Sequence, residues 1–171
     1  MARGFTLIEM LISLVVLAVL LAAAVPSFSG MSERSKMQRL AEELQGFWGQ
    51  TKSEAVLRNQ ELYLHFVQDG AAYAGEWALV TNTSPTAPAD RHAAKVNALT
   101  YLDGAPFKNI TINFSASSTT TIFDRVNGRP TQNGNIQFSV DSTKPLMLKF
   151  HNRSSTRICG VTGDVYGYLE C

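Results

Sequence analysis

The sequence predicts an α+β fold in which a long N-terminal helix, transmembrane in its first half, packs on an antiparallel, β-sandwich-like globular domain. Three observations predict this fold. Residues 5–25 form an almost unbroken apolar run. Residues 37–55 place apolar side chains at spacings of three and four, which is typical of an amphipathic helix. From residue 109 onward, short apolar segments are separated by clusters of Asn, Gly, Asp and Ser, which is typical of strands joined by turns.

The apolar run is long enough to cross a membrane as a helix. At about 1.5 Å per residue, residues 5–25 would span about 30 Å, the thickness of the hydrocarbon core of a bilayer. Arg3 marks the cytoplasmic end by the positive-inside rule, so the chain after Pro26 is predicted to lie outside the cytoplasm. A carboxylate in lipid costs about 2.5 kcal/mol or more at mid-membrane depth, so Glu9 is predicted to be functional.

Three interpretations of this N-terminal segment compete. The first is a secretory signal peptide, with Arg3 in the n-region, residues 11–21 as the h-region and the alanines at 22–24 as a small-residue cleavage site. The second is a plain membrane anchor. The third rests on a resemblance carried by six consecutive residues, Gly-Phe-Thr-Leu-Ile-Glu, at positions 4–9.

This motif, followed by an apolar run, resembles the N-terminus of type IV prepilins and type II secretion pseudopilins. The resemblance implies that a prepilin peptidase cleaves after Gly4 and methylates the new N-terminus on Phe5. It also implies that the amine of Phe5 pairs with Glu9 of a neighbouring subunit in the filament, with Thr6 in the same assembly contact. Two charges that are each costly in a low dielectric attract strongly when they meet, so the pair would favour one register of the helix.

The helix is predicted to continue into the globular domain. Pro26 stands near the point at which the long helix of this family often carries a proline, and proline bends or locally melts a helix. Beyond it, apolar residues from Met37 to Ala55 form one face and charged residues form the opposite face. The predicted parts are a prepilin leader (1–4), a transmembrane and filament-core helix (5–26), an amphipathic helix (27–58) and a β-rich globular domain (59–171).

The globular domain is predicted to consist of short strands, of which residues 61–67 and 76–81 are the first two. Residues 83–106, which are rich in Pro and Gly, are predicted to form a surface loop with a short helix within residues 90–102. The run from Ser53 to Asn59 resembles the FimT/GspH group of minor pilins, and the expected domain is two antiparallel sheets laid against the second half of the helix. The remaining predicted strands are 110–114, 121–123, 136–140, 146–151, 156–161 and 165–169.

Two cysteines, Cys159 and Cys171, stand near the C-terminus. In an exported chain they are predicted to form a disulfide, which would close a short loop and contribute about 3 kcal/mol. Two free thiols are the alternative. A metal site made of these cysteines alone is not expected, because two widely spaced ligands do not complete a coordination shell.

The sequence contains no recognisable catalytic constellation, and no enzyme activity, cofactor or metal is predicted. His65, His92 and His151 lack metal-ligand spacing, and neither a glycine-rich phosphate loop nor a nucleophile-elbow motif occurs. A DNA-binding interpretation rests on Arg153 and Arg157, which a hairpin loop would present to phosphates. The alternative is that both arginines are solvated hairpin charges or contacts to another pilin.

Taken over the whole chain, the resemblance implies a minor pilin of the FimT/FimU/GspH group that helps to initiate assembly of a type IV pilus and caps its tip. It would be a single-pass protein of the bacterial inner membrane, with its globular domain in the periplasm before assembly. The implied partners are the prepilin peptidase, other minor pilins, the major pilin and the inner-membrane assembly platform. The alternatives are a type II secretion minor pseudopilin of the H type and a DNA-binding minor pilin for natural transformation.

Overall fold

The fold is that of a computed structural model, which describes residues 6–116, 119–153 and 155–171. Within these ranges the chain forms two α-helices, eight strands and two short 3-10 turns at Ala72–Ala74 and Ala105–Phe107. One long helix followed by antiparallel strands confirms the predicted α+β class. The helices and strands, in chain order, are α1 (Leu7–Arg58), β1 (Leu62–Gln68), β2 (Trp77–Asn82), α2 (Arg91–Val96), β3 (Thr100–Asp103), β4 (Thr111–Ala116), β5 (Thr120–Phe123), β6 (Gly134–Ser139), β7 (Leu146–Phe150) and β8 (Arg157–Gly160).

The chain divides into two compact units, Met1–Ser35 and Lys36–Cys171, and α1 contributes residues to both. The side chains of residues 23–29 lie outside the described part of α1, so the kink predicted at Pro26 stays a prediction. Among the described residues, no helix combines the length and the apolar character of a membrane span. The transmembrane prediction for residues 5–26 is therefore not confirmed.

The second unit begins with residues 36–58 of α1, which bury the face that the spacing of apolar residues predicted. Met37, Leu40 and Leu44 are fully buried, and Trp48 is nearly so. Burial of such a side chain contributes about 1.5–3 kcal/mol relative to its exposure to water. This half of the helix is therefore held by its packing against the strands of its own unit.

Two four-stranded antiparallel sheets make up most of the second unit. Sheet A has the strand order β3-β2-β1-β5, and sheet B has the order β4-β6-β7-β8. His65 lies opposite Val80 in sheet A, and Phe114 lies opposite Ile136 in sheet B. The two antiparallel sheets expected from the sequence are therefore confirmed.

Trp48 of α1 contacts both sheets. Its ring centroid lies 5.1 Å from that of Phe123 in sheet A and 4.5 Å from that of Phe150 in sheet B. Aromatic pairs at such distances contribute about 0.5–1.5 kcal/mol beyond the area that they bury. Trp48 therefore joins the helix and the two sheets in one continuous core.

Residues 83–106 were expected to form a surface loop, and that prediction is wrong in part, because β3 lies within them. The short helix predicted there is α2, which begins where the carboxylate of Asp90 accepts a hydrogen bond of 2.7 Å from the backbone N–H of Ala93. Ala94 of α2 is buried with Val80 on sheet A. Packing on this sheet, and pairing of β3 with β2, order a stretch whose local pattern is weak.

The strand predicted at residues 165–169 is wrong. The segment was predicted because it follows a turn-forming cluster, but Tyr166 and Gly167 have φ angles of 52° and 94°, in the left-handed region that an extended strand does not use. Val165 and Tyr168 exchange two backbone hydrogen bonds, of 2.9 and 3.0 Å. The segment therefore forms a tight turn.

Arg91, at the start of α2, ties this helix to the loop between β1 and β2. Its Nε lies 2.6 Å from a carboxylate oxygen of Asp69, and its Nη1 donates to the carbonyl of Gly75 at 3.3 Å and lies 3.7 Å from Asp103. Desolvation alone would raise the pKa of Asp69, but the hydrogen bonds and the charge of Arg91 outweigh it and hold that pKa below its ordinary value.

Candidate functional site

The motif at the start of α1 is only partly within the described residues. Gly4 and Phe5 lie outside them, so their predicted cleavage and methylation stay predictions. Thr6 caps the helix: its Oγ1 accepts from the backbone N–H of Glu9 at 3.3 Å, and its carbonyl accepts from the N–H of Met10 at 3.2 Å. Thr-x-x-Glu is the sequence pattern of a capping box. This role of Thr6 was not predicted, although its spacing from Glu9 indicates it.

Glu9 lies exposed in the first turn of α1. A negative charge at this end of a helix interacts favourably with the helix dipole, by about 0.3–1 kcal/mol. None of the ion pairs formed by the described residues involves Glu9. Glu9 therefore stands in the first turn of a capped helix, while the pairing of its carboxylate with the amine of another subunit stays a prediction.

Residues 7–22 of α1 expose large apolar side chains on every side of the helix. The exposed fraction of these side chains runs from 52% at Leu11 to 85% at Leu7. A helix that is apolar all round is stable in a protein core or a membrane, not in water. The described residues of the first unit therefore leave the apolar side chains of residues 7–22 uncovered.

A disulfide between Cys159 and Cys171 closes the C-terminal segment onto β8, and the described chain has no free cysteine. The N–H of Gly160 donates to Leu169 at 2.8 Å, and the N–H of Cys171 donates to Gly160 at 2.9 Å. Arg157 adds a hydrogen bond of 2.6 Å from its guanidinium to the backbone oxygen of Cys171. The C-terminal end of β8 is therefore bonded to its own chain, which leaves less of its outer edge open to pairing with another strand.

The C-terminal segment also packs on α1. The side-chain amide of Gln38 donates to the carbonyl of Tyr166 at 2.8 Å. Burial, and secondarily the negative charge of Glu42, raise the pKa of Tyr168 above its ordinary value. The disulfide-closed segment is therefore part of the folded second unit.

The two candidate DNA contacts differ in their surroundings. The guanidinium of Arg157 donates a hydrogen bond to the backbone oxygen of Cys171, whereas Arg153 lies exposed in the loop between β7 and β8. The carbonyl of Arg153 accepts a hydrogen bond of 3.4 Å from Arg129. The structure thus brings Arg129 close to Arg153, a pairing that the sequence analysis did not single out. A contact of Arg153 or Arg157 with DNA stays a prediction.

The histidines do not assemble a site in the described chain. His65 is buried in β1, where its Nε2 lies 3.0 Å from the carbonyl of Ser84 and its Nδ1 lies 2.9 Å from the hydroxyl of Thr120. Because a carbonyl oxygen can only accept a hydrogen bond, Nε2 of His65 carries a proton. His65 therefore links sheet A to the loop that follows β2. No group of three or more His, Cys, Asp or Glu side chains within the described ranges is placed to hold a metal.

Comparison with known proteins gives matches to the N-terminal segment and to most of the rest of the chain. The family model described as type II transport protein GspH matches residues 40–160, and the model described as prokaryotic N-terminal methylation motif matches residues 1–25. Type II secretion system protein H of Pseudomonas aeruginosa is 40% identical over 68 residues, a match that covers 40% of each chain. The aligned region thus spans about two fifths of the length of that relative.

A similar fold is found in the crystal structure of the type IV minor pilin FimU of Pseudomonas aeruginosa. The TM-score is 0.55 at 16% sequence identity, and the match covers 75% of this chain and 91% of FimU. The long helix and the two antiparallel sheets therefore define the type IV pilin-like fold, the class that includes minor pilins and pseudopilins.

The GspH model matches well over half of the chain, so the protein belongs to the type II transport protein GspH family. The resemblance inferred from residues 4–9 and 53–59 is confirmed. The family is one of structural pilin and pseudopilin proteins. Membership, together with the methylation motif, implies a membrane-anchored, periplasmic pilin-like protein.

Proposed function

We propose that this protein is a minor pilin that is cleaved after Gly4, is methylated on Phe5 and helps to initiate assembly of a type IV pilus, at whose tip it remains. One observation carries the proposal. Residues 7–22 present an apolar surface on every side of α1, directly after a capped start at Thr6 with an acid at Glu9.

The apolar half of α1 has two suitable environments, a lipid bilayer before assembly and the helices of other pilins afterwards. Both cover apolar side chains, so transfer between them costs little in burial. Two opposite charges at the start of the helix favour its transfer from the bilayer into the filament. Cleavage after Gly4 leaves a cationic amine on Phe5, and Glu9 of a neighbouring subunit neutralises it. The β-rich second unit would then make the lateral contacts with other pilins.

The processing step is tested by the intact mass of the protein purified from membranes. We expect a chain that begins at Phe5 and carries one N-terminal methyl group. A chain that begins at Met1, or after the alanines at 22–24, would contradict the proposal and support a plain anchor or a signal peptide, respectively.

The role of Glu9 is tested by Glu9→Ala, with Glu61→Ala, which removes an exposed acid before β1, as the matched control. We expect Glu9→Ala to be processed normally but to be depleted about tenfold or more from sheared pili, because an unpaired charge in a low dielectric costs several kcal/mol. The control should be incorporated as the wild type. Normal incorporation of Glu9→Ala would exclude the assigned role.

A second candidate function is that of a type II secretion minor pseudopilin of the H type. The 40% identity to type II secretion system protein H favours it, because the fold similarity to FimU is at a much lower identity. A deletion strain in which pilus retraction is blocked distinguishes a role in the type IV pilus from a role in type II secretion. Loss of surface pili with secretion intact supports the pilus, and loss of secretion with pili intact supports the pseudopilin.

A further inference from the structure

A concave surface lies where the second half of α1 meets the turn that follows β5. It is lined by Lys52, Ser53, Val56 and Leu57 of α1 and by Asn127 of the turn, and its volume is about 440 Å³. One water molecule in the liquid occupies about 30 Å³, so this space is large enough for side chains of a partner. We call it the α1-turn concavity.

The α1-turn concavity is surrounded by exposed apolar side chains. Leu57 is 80% exposed, Val56 is 44% exposed, and Val126, next to Asn127, is 74% exposed. A single exposed apolar residue is ordinary on a protein surface. Two of them in the lining of one concave surface, with a third beside it in the chain, indicate an interaction site, because water contact with each carries a free-energy cost that a partner would remove.

The turn is seated firmly on the helix, so the concavity is formed before any partner arrives. Gly128 has a φ of 61°, and a Cβ atom there would lie 2.5 Å from the carbonyl oxygen of Lys52. The carboxylate of Asp124 accepts from the N–H groups of Val126 and Asn127 at 3.3 and 3.2 Å. A preformed surface loses less conformational freedom on binding than a mobile loop does.

The surroundings of the concavity are basic. Arg125 and Arg129 are exposed on the turn, and the hydrogen bond from Arg129 to the carbonyl of Arg153 brings a third exposed arginine close. Lys52 lies in the lining itself. The acid of the turn, Asp124, is occupied by backbone N–H groups, as described above. The surface thus combines apolar residues with an excess of positive charge.

We infer that the α1-turn concavity docks an acidic, amphipathic segment of another pilin-family subunit, an inference that rests on the proposed assembly function. An apolar side chain of that segment enters the concavity beside Leu57, and its carboxylates face Arg125 and Arg129. A nucleic acid would satisfy the arginines through its phosphates but would leave Leu57 and Val126 in water. A protein segment satisfies both features, in the arrangement of an apolar centre and a charged rim that is typical of protein interfaces.

The test uses the full chain in its own cells, with a photo-crosslinking amino acid in place of Ser53. We expect an adduct with a pilin-family subunit, identified by mass spectrometry through an acidic segment of that subunit. Leu57→Ser should lower the adduct yield about tenfold, as expected for a central apolar contact. Arg125→Glu should lower it severalfold through charge repulsion. Val96→Ser, which alters a side chain of similar exposure on α2, is the control and should leave the yield unchanged.

Incorporation of the same variants into sheared pili or membrane complexes separates this inference from the proposed function. A chain that is incorporated but gives no adduct from position 53 overturns the docking inference and leaves the assembly function standing. An adduct with nucleic acid, or with a protein outside the pilin family, also overturns it. An adduct that is equally strong in Leu57→Ser and Val96→Ser shows that the concavity is not the contact.

Discussion

The two halves of α1 differ in where their apolar side chains find partners. In residues 7–22 the large apolar side chains are at least half exposed, whereas Met37, Leu40 and Leu44 in the second half are fully buried. Both halves are helical, so the difference lies in packing and not in backbone conformation. A helix in water is stable chiefly through a buried face, and among the described residues the second half of α1 has such a face.

This difference explains how one helix can serve two tasks. The second half is part of the folded domain, because its apolar face is covered by sheets A and B. The first half has its apolar surface uncovered on all sides, and its start carries Thr6 and Glu9. We expect a substitution in the second half to affect stability, and one in the first half to affect assembly. Five substitutions in the second unit, compared with Leu14→Ala in the first, test the expectation about stability.

The largest effect is expected for Trp48→Ala. This change removes a buried ring that contacts Phe123 and Phe150 and leaves a cavity, so the free energy of unfolding should fall by about 3–5 kcal/mol. The measurement is denaturant unfolding of the full chain in detergent. The matched change in the first half, Leu14→Ala, should alter it by about 0.5 kcal/mol or less. Equal losses from both variants would contradict the comparison.

Loss of the disulfide is expected to be the next largest effect. Cys171→Ser opens the short loop that begins at Cys159, and about 3 kcal/mol of stability should be lost. Thermal unfolding with and without a reductant measures it: the reductant should lower the Tm of the wild type and leave that of Cys171→Ser unchanged. The assembly contacts at Glu9 should be unaffected at temperatures where the variant is folded. An unchanged Tm in Cys171→Ser would refute the structural role of this bridge.

Gly49, within α1, and Gly128, in the turn that contacts α1, should give effects of opposite sign when each is replaced by Ala. Gly128→Ala places a Cβ against the carbonyl of Lys52 in a left-handed conformation, which should cost about 1–3 kcal/mol. Gly49→Ala adds a methyl to an exposed helical position with no atom within 4 Å, which should stabilise by up to about 1 kcal/mol. Unfolding free energies of the two variants test this, and a stabilising Gly128→Ala would show that the turn is not seated on the helix.

The smallest effect concerns pH. The pKa of Asp69 is lower in the folded protein than in the unfolded chain, so its ion pair with Arg91 contributes stability above the unfolded pKa of about 3.9. That contribution is lost as the pH falls through the lower, folded pKa. Asp69→Asn should therefore be less stable than the wild type near pH 7, and the difference should vanish in acid. A difference that is constant between pH 7 and pH 2 would exclude the carboxylate as its source.

The sequence predicted the parts of this fold that have a regular local pattern. The buried face of α1 follows from the spacing of its apolar residues, and the two sheets follow from the turn-separated segments and the resemblance. The pairing of Cys159 with Cys171 follows from the presence of two cysteines in a chain predicted to be exported. The short strand β3 and the turn at Tyr166 were not predicted, because pairing with β2 and two left-handed residues decide them. The α1-turn concavity was missed for a similar reason. Leu57 and Val126 are distant in sequence. The packing of Gly128 against the carbonyl of Lys52 brings the turn that contains Val126 close to the part of α1 that contains Leu57.

The most direct test of this account is a photo-crosslinking amino acid at Leu14, in the exposed half of α1, in cells that produce the full chain. We predict adducts with the N-terminal helix of another pilin-family subunit, and mostly lipid adducts in Glu9→Ala, which we expect to be depleted from the filament. Lipid adducts alone in both proteins would contradict the central claim, because the exposed half of α1 would then serve as a membrane anchor and not as a filament contact.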